Sequence, residues 1–230
     1  MIRRKFLTTS IASTSVPFAF AATSRPSEQQ DQSKALFEMR TYEIRFGGNQ
    51  SRLKDYLKNV YQPALLASGA NQMMLFNEWG QSDPAKLWAL ISYPDAATYL
   101  QCQQLGSDAS FQQASSEYDA IGPEDKIYNR YSSSLLLAFD GMPAMAESTD
   151  GSGLFELRTY EGYSEDAVRR KIGMFNKEEI DLFLKVKLNP VFFGEMIVGP
   201  YRPSLVYMLH FKDMEERNAN WDVFRQHPDW

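Results

Sequence analysis

Two glutamates, two arginines and two tyrosines recur in one local setting: Phe37-Glu-Met-Arg-Thr-Tyr-Glu43 and Phe155-Glu-Leu-Arg-Thr-Tyr-Glu161. The copies lie 118 positions apart and differ only where Met39 becomes Leu157. Apolar and polar residues alternate, so each copy reads as a strand whose polar side chains share one face. On that face stand Glu38, Arg40 and Tyr42, and again Glu156, Arg158 and Tyr160. A guanidinium fork grips carboxylates with two parallel hydrogen bonds, and a phenol both donates and accepts. Such a set either holds a small acidic or oxygen-rich ligand, or pairs with itself and sets strand register. Both readings stay open.

Other candidates are weaker. Glu78 and Glu195, near the ends of two further strands, could form an acid–base pair or simply be solvated strand ends. His210 is a haem ligand, a base or a hydrogen-bonded structural histidine; its counterpart in the first copy is Ser92. A single cysteine, Cys102, leaves no internal disulfide and no thiolate-rich metal site. No metal site is expected. No nucleophile elbow and no phosphate-cradling glycine loop occurs.

The elements that position these residues repeat as well. After each heptapeptide comes an amphipathic helix, the first capped by Ser51 and the second by Ser164. Two strands follow (residues 73–79 and 87–93, matched by 191–197 and 205–211), then a helix starting at Asp95 or Asp213. A last strand, 126–139, completes the first copy as a βαββαβ unit, the ferredoxin-like split βαβ. The second copy reaches Trp230 in mid-helix, and the expectation is a gene product that continues into a fourth strand. The expected domains are thus 35–139 and 154–230, joined by a linker over 140–153.

At this point a resemblance emerges. The two heptapeptide strands, their amphipathic helices, and the ending Trp221-x-x-Phe224-x-x-His-Pro-Asp-Trp230 resemble the NIPSNAP domain of the dimeric α+β barrel superfamily. The first copy departs from it, with Ser107-Asp-Ala-Ser110 where that ending should be. The resemblance implies an α+β fold in which two four-stranded sheets pack face to face as a barrel. It also implies membership of a family whose eukaryotic members have proposed roles in vesicle trafficking and mitochondrial signalling. Related barrels keep ligands, haem or oxygen-reactive substrates inside. With the helix-covered sheet face taken as the apolar one, Phe37, Met39, Phe155 and Leu157 are expected at the helices. Glu38, Arg40, Tyr42, Glu156, Arg158 and Tyr160 then line the barrel interior.

The N-terminus points to export. Arg3-Arg4-Lys5-Phe6-Leu7 has the twin-arginine pattern, a weakly apolar stretch follows, and Ala19-Phe20-Ala21 offers a cleavage site. Residues 1–22 read as a signal peptide and 23–34 as a flexible leader. Removing the signal takes away three positive charges and no negative ones, moving the net charge from -5 to -8. That balance excludes the clustered cations that nucleic-acid binding requires, and the mature chain holds no transmembrane span. The functional expectation is an exported tandem-domain protein, periplasmic or secreted, that binds a small molecule or a protein and needs no cofactor. Homo-oligomers are compatible with this. The alternative is a small oxygenase or isomerase-like enzyme, haem-dependent or cofactor-free. Replacing Arg3 and Arg4 with Lys is expected to trap precursor in the cytoplasm; fractionation showing normal processing would overturn the export assignment.

Overall fold

The computed structural model describes residues 33–80, 82–147 and 153–229. The signal-peptide and most of the leader assignments lie outside the described residues. Among those described, no helix is long and apolar enough to cross a membrane.

The repeat is visible element by element. The first copy runs β1 (Leu36–Ile44), α1 (Gln50–Tyr56), a π-turn (Leu57–Tyr61), α2 (Gln62–Ala67), β2 (Gln72–Asn77) and β3 (Lys86–Tyr93). It ends with α3 (Ala96–Cys102), α4 (Ala109–Asp119) and β4 (Tyr128–Ala138). The second runs β5 (Leu154–Glu161), α5 (Glu165–Met174), a π-turn (Phe175–Glu179), α6 (Ile180–Lys185), β6 (Pro190–Val198), β7 (Ser204–Phe211) and α7 (Met214–Gln226). The helix starts follow from local chemistry. Ser164 accepts from the Ala167 N–H, and Asp95 and Asp213 cap α3 and α7 through the Thr98 and Glu216 N–H groups. Glu216 in turn accepts from the Lys212 N–H at 2.6 Å, a variant of the capping box. The first helix differs from expectation: Asn49, not Ser51, is its cap, accepting from the Arg52 N–H at 3.1 Å.

All strands join one antiparallel sheet in the order β2-β3-β1-β4-β6-β7-β5. The two half-sheets meet edge to edge, with Leu136 opposite Met196 and Ala138 opposite Gly194. The sheet then curls so far that its end strands approach: Phe76 of β2 meets Phe155 of β5 with ring centroids 4.9 Å apart.

Three apolar clusters result. One lies between the first half-sheet and its helices, around Leu53, Leu57, Leu65 and Ile91. A second lies under the helices of the second half, around Phe175, Phe183, Phe193 and Trp221. The third fills the concave interior, and both halves contribute to it: Phe37, Met39, Leu90, Leu136, Phe192 and Met208, flanked by Phe155 and Leu157.

The expected facing of the heptapeptide strands is therefore reversed. Phe37, Met39, Phe155 and Leu157 point into the barrel interior, and Glu38, Arg40, Tyr42, Glu156, Arg158 and Tyr160 lie on the helix side. The physical reason is that both faces of this sheet are covered. The interior is lined from both halves by apolar side chains, which favours dry apolar packing. The helix layer, by contrast, offers polar partners and an opening to water.

Gly194 makes the junction possible, because a Cβ there would stand 2.8 Å from the Leu136 Cβ. Gly194→Val is expected to destabilise the fold by about 1–3 kcal/mol through overpacking. A Leu136→Ala change in the same protein should recover part of that loss, measured by urea titration.

Candidate functional site

The polar triad of β1 is assembled by its neighbours. Glu38 is 2% exposed and Arg40 6% exposed, so neither is tolerable unless paired. Arg40 donates to Glu38 through Nε at 2.6 Å and Nη2 at 2.9 Å. The antiparallel register sets Leu135 opposite Glu38 and Ser133 opposite Arg40, and the Ser133 hydroxyl donates to Glu38. Tyr93 at the end of β3 donates a fourth hydrogen bond, at 3.0 Å. The Glu38 carboxylate is thereby saturated. Burial by itself would lower the Arg40 pKa, but the Glu38 pairing outweighs it and holds the guanidinium firmly charged.

Arg40 lies between two rings. Its guanidinium carbon sits 5.1 Å from the ring centroid of Tyr61, the last residue of the first π-turn, and 5.7 Å from that of Tyr131 on β4. Tyr42 follows on the same face, 5.2 Å from Tyr131 and 5.3 Å from Tyr128. Tyr56 and Tyr118 stack on each other at 3.8 Å. These groups line a cavity of about 290 Å³ between the sheet and helices α1 and α4, with Phe111 and Asp119 also on its wall. Tyr131, on its wall, is 49% exposed.

The hydroxyls are poor acids here. Burial pushes Tyr42 up to about 12, against the opposing effect of Arg40. Burial likewise raises Tyr61, Tyr56, Tyr118 and Tyr93. Near neutral pH these phenols stay protonated, so the four of them on the cavity wall, Tyr42, Tyr56, Tyr61 and Tyr118, present hydroxyls and π faces. Its one buried cation is neutralised by its own carboxylate.

In the second copy the same triad is served differently. Phe211 stands where Tyr93 stands in the first, so no phenol reaches Glu156 from there. Arg217 and Trp221 of α7 take over: Arg217 bonds Glu156 at 3.0 and 2.8 Å, and the indole N–H donates at 2.9 Å. Arg158 adds bonds to Glu156 at 2.9 and 2.8 Å and stacks 4.0 Å from the Trp221 ring centroid. Burial raises the Glu156 pKa, but Arg217, Trp221 and Arg158 together outweigh it and hold the carboxyl below its ordinary value. Arg158 also reaches the Tyr160 hydroxyl, which lies 3.4 Å from that of Tyr207. At the matching place in its π-turn Glu179 replaces Tyr61, paired with Lys171 at 3.3 Å. A single-turn π-bulge often marks a functional site, and here both copies carry one over the triad.

The weaker candidates do not converge. Glu78 accepts from Ser82 and lies near Trp88 Nε1 and Lys86 Nζ. Glu195 belongs to β6, separated from β2 by β3, β1 and β4 in the sheet. At the repeat spacing Glu195 matches Asn77, not Glu78, so they are not an equivalent pair. His210 stacks on Phe155 with centroids 4.5 Å apart on the interior side. Among the described residues no group of three or more His, Cys, Asp or Glu is placed to hold a metal.

The residues missed in the sequence were Tyr61, Tyr93, Tyr131, Ser133, Arg217 and Trp221. Only strand register and helix placement bring them to the triad. One signal was available: tyrosines at 56, 61, 118, 128 and 131 cluster in the elements flanking β1.

A curled antiparallel sheet with helices outside and an apolar interior defines an α+β barrel-like fold. Within it, residues 155–230 match the NIPSNAP family model. No curated protein matches the chain in sequence. Among solved structures it is similar to a protein from Lactobacillus acidophilus NCFM assigned as a monooxygenase, with 12% identity and a TM-score of 0.51. That match covers 85% of this chain and 83% of the other. A second protein assigned as a monooxygenase, from Fusobacterium nucleatum, has 11% identity and a TM-score of 0.48, covering 86% and 82%. A NIPSNAP family protein from Agrobacterium tumefaciens has 17% identity and a TM-score of 0.36, covering 50% of this chain and 96% of its own. The likeness to the Lactobacillus acidophilus protein speaks to fold alone.

The two triads are expected to respond unequally to mutation. Glu38→Gln leaves Arg40 buried without its counter-charge and should cost about 3–5 kcal/mol, most of it recovered in the Glu38→Gln/Arg40→Met double variant. Arg158→Met should cost about 1 kcal/mol or less, because Arg158 is partly exposed and Arg217 still neutralises Glu156. Thermal melts of the four proteins test the contrast.

Proposed function

We propose that the chain is an exported small-molecule-binding protein built from two NIPSNAP-type repeats. Its ligand site is the tyrosine-walled cavity of the first repeat. The observation that carries this reading is the charge balance around Arg40. The guanidinium is buried and cancelled by Glu38, while protonated tyrosine hydroxyls and aromatic faces line the remaining wall. Asp119 at the rim adds negative charge. A free carboxylate or phosphate gains little there and is repelled by Asp119. A neutral, oxygen-rich aromatic molecule, such as a hydroxylated or quinone-like ring, instead gains stacking and hydrogen bonds together. A cavity of about 290 Å³ takes one or two such rings.

Binding is preferred to catalysis on the same geometry. Glu38 accepts four hydrogen bonds and has no lone pair left to act as a base. The neighbouring phenols are raised well away from neutrality, so they do not titrate at working pH.

The test is a thermal-shift and fluorescence screen of matched neutral and acidic aromatics, hydroxybenzoates against their amides, for example. The neutral members should bind. Tyr61→Phe removes one donor and keeps the ring, and is expected to weaken binding about fivefold, the equivalent of one modest hydrogen bond. Preference for the carboxylates, or binding unaffected by Tyr61→Phe, would overturn the proposal.

A further inference from the structure

The tyrosine cavity adjoins a second space. Leu105 and Phe111 line the cavity, and they also line a neighbouring groove of about 490 Å³ built from residues between Asn59 and Ala114. Leu105 begins a 3-10 turn (Leu105–Ser107) between α3 and α4, and Phe111 stands in the first turn of α4. Both are only partly buried. The Phe111 ring is edge-on to that of Tyr61, with centroids 6.3 Å apart. Two side chains are thus common to the aromatic site and the groove beside it.

The groove differs from the cavity in chemistry. Val60 of the π-turn and Pro63 and Ala64 of α2 give it apolar surface, and Asn59, Gln101 and Gln104 give it amides. Nearby amides are spent on the chain itself: Gln103 donates to the Tyr99 carbonyl at 3.5 Å and Gln112 to the Gly106 carbonyl at 2.8 Å. The side chains of Asn59, Gln101 and Gln104 have no protein partner among the described residues. Among the described residues that line the groove, only Asp108 carries a charge. It accepts from the Ser110 hydroxyl and from the Phe111 N–H, which hold its carboxyl below its ordinary value and commit it to the start of α4.

An amide offers a donor and an acceptor together, and so does each hydroxyl of a sugar. A sugar ring also presents C–H faces that suit small apolar side chains. An aliphatic tail in the groove would cover three amides and satisfy none of them. An anionic group would meet Asp108 and find no cation. Resting on the aromatic-ligand reading of the tyrosine cavity, we propose that the ligand is a neutral aryl glycoside. Its ring stacks among Tyr42, Tyr56 and Tyr61, and its sugar lies in the groove past Leu105 and Phe111, hydrogen-bonded to Gln101 and Gln104.

The probes are hydroquinone and its β-glucoside, arbutin, titrated calorimetrically into the full chain. Arbutin should bind about tenfold more tightly, the equivalent of two modest hydrogen bonds. The Gln101→Ala/Gln104→Ala variant changes two exposed positions, and its thermal melt should match the parent. It should lose the arbutin advantage and keep the hydroquinone affinity. Tyr61→Phe should instead weaken both compounds by the same factor, since it touches only the ring. Arbutin binding no tighter than hydroquinone, or an advantage that survives the double variant, would overturn the glycoside assignment and leave the cavity reading standing. Binding of neither compound would overturn both.

Discussion

Each half of this molecule is a sheet with helices on one side and nothing of its own on the other. A bare apolar sheet face in water costs roughly 25 cal/mol per Å² left exposed, and each half can remove that cost only against the other. The shared interior around Phe37, Met39, Leu136, Phe192 and Met208 is that solution. The rest of the architecture depends on it. The β4–β6 junction, the glycine at 194 that permits it, and the curl that brings Phe76 to Phe155 all serve to enclose one apolar space between two repeats.

This constraint decides where polar chemistry can reside. A space lined by apolar side chains from the two half-sheets offers few hydrogen-bond partners, so charge placed there would remain unpaired. The helix side has partners: phenols, hydroxyls, an indole and further guanidinium groups, arranged by a layer that also leaves an opening to solvent. The Glu–Arg pairs of β1 and β5 are accordingly under the helices. The curled sheet uses its inner face for cohesion and its outer face for paired charges and phenols.

The two outer faces differ in what surrounds the shared strand pattern. Both keep the strand triad and a π-turn above it. The first surrounds a neutralised arginine with phenols and retains a cavity. The second replaces Tyr61 by Glu179 and Tyr93 by Phe211, and compensates with Lys171, Arg217 and Trp221. A network of charges under α7 results, in which Arg158 lies flat on an indole. One motif thus lines a cavity in one copy and joins a charge network in the other.

Local sequence determined a good deal of this protein. Alternation in the heptapeptides named two strands, and identity at a fixed spacing established the repeat. Ser164, Asp95 and Asp213 announced helix starts through side chains that reach their own backbone. These are interactions within a few residues, and a sequence displays them directly. The facing of the strands was not legible, because alternation separates two faces without saying which one meets the helices, and here both are covered. Asn49 displaced Ser51 as a cap by a shift of two residues, within the range where competing local hydrogen bonds differ little. The partners of Glu38 and Glu156 come from β3, β4 and α7, 55, 95 and 61–65 residues away. Only the tertiary fold brings those residues together, because register and helix packing are set by burying the whole interior and not by any residue of the triad.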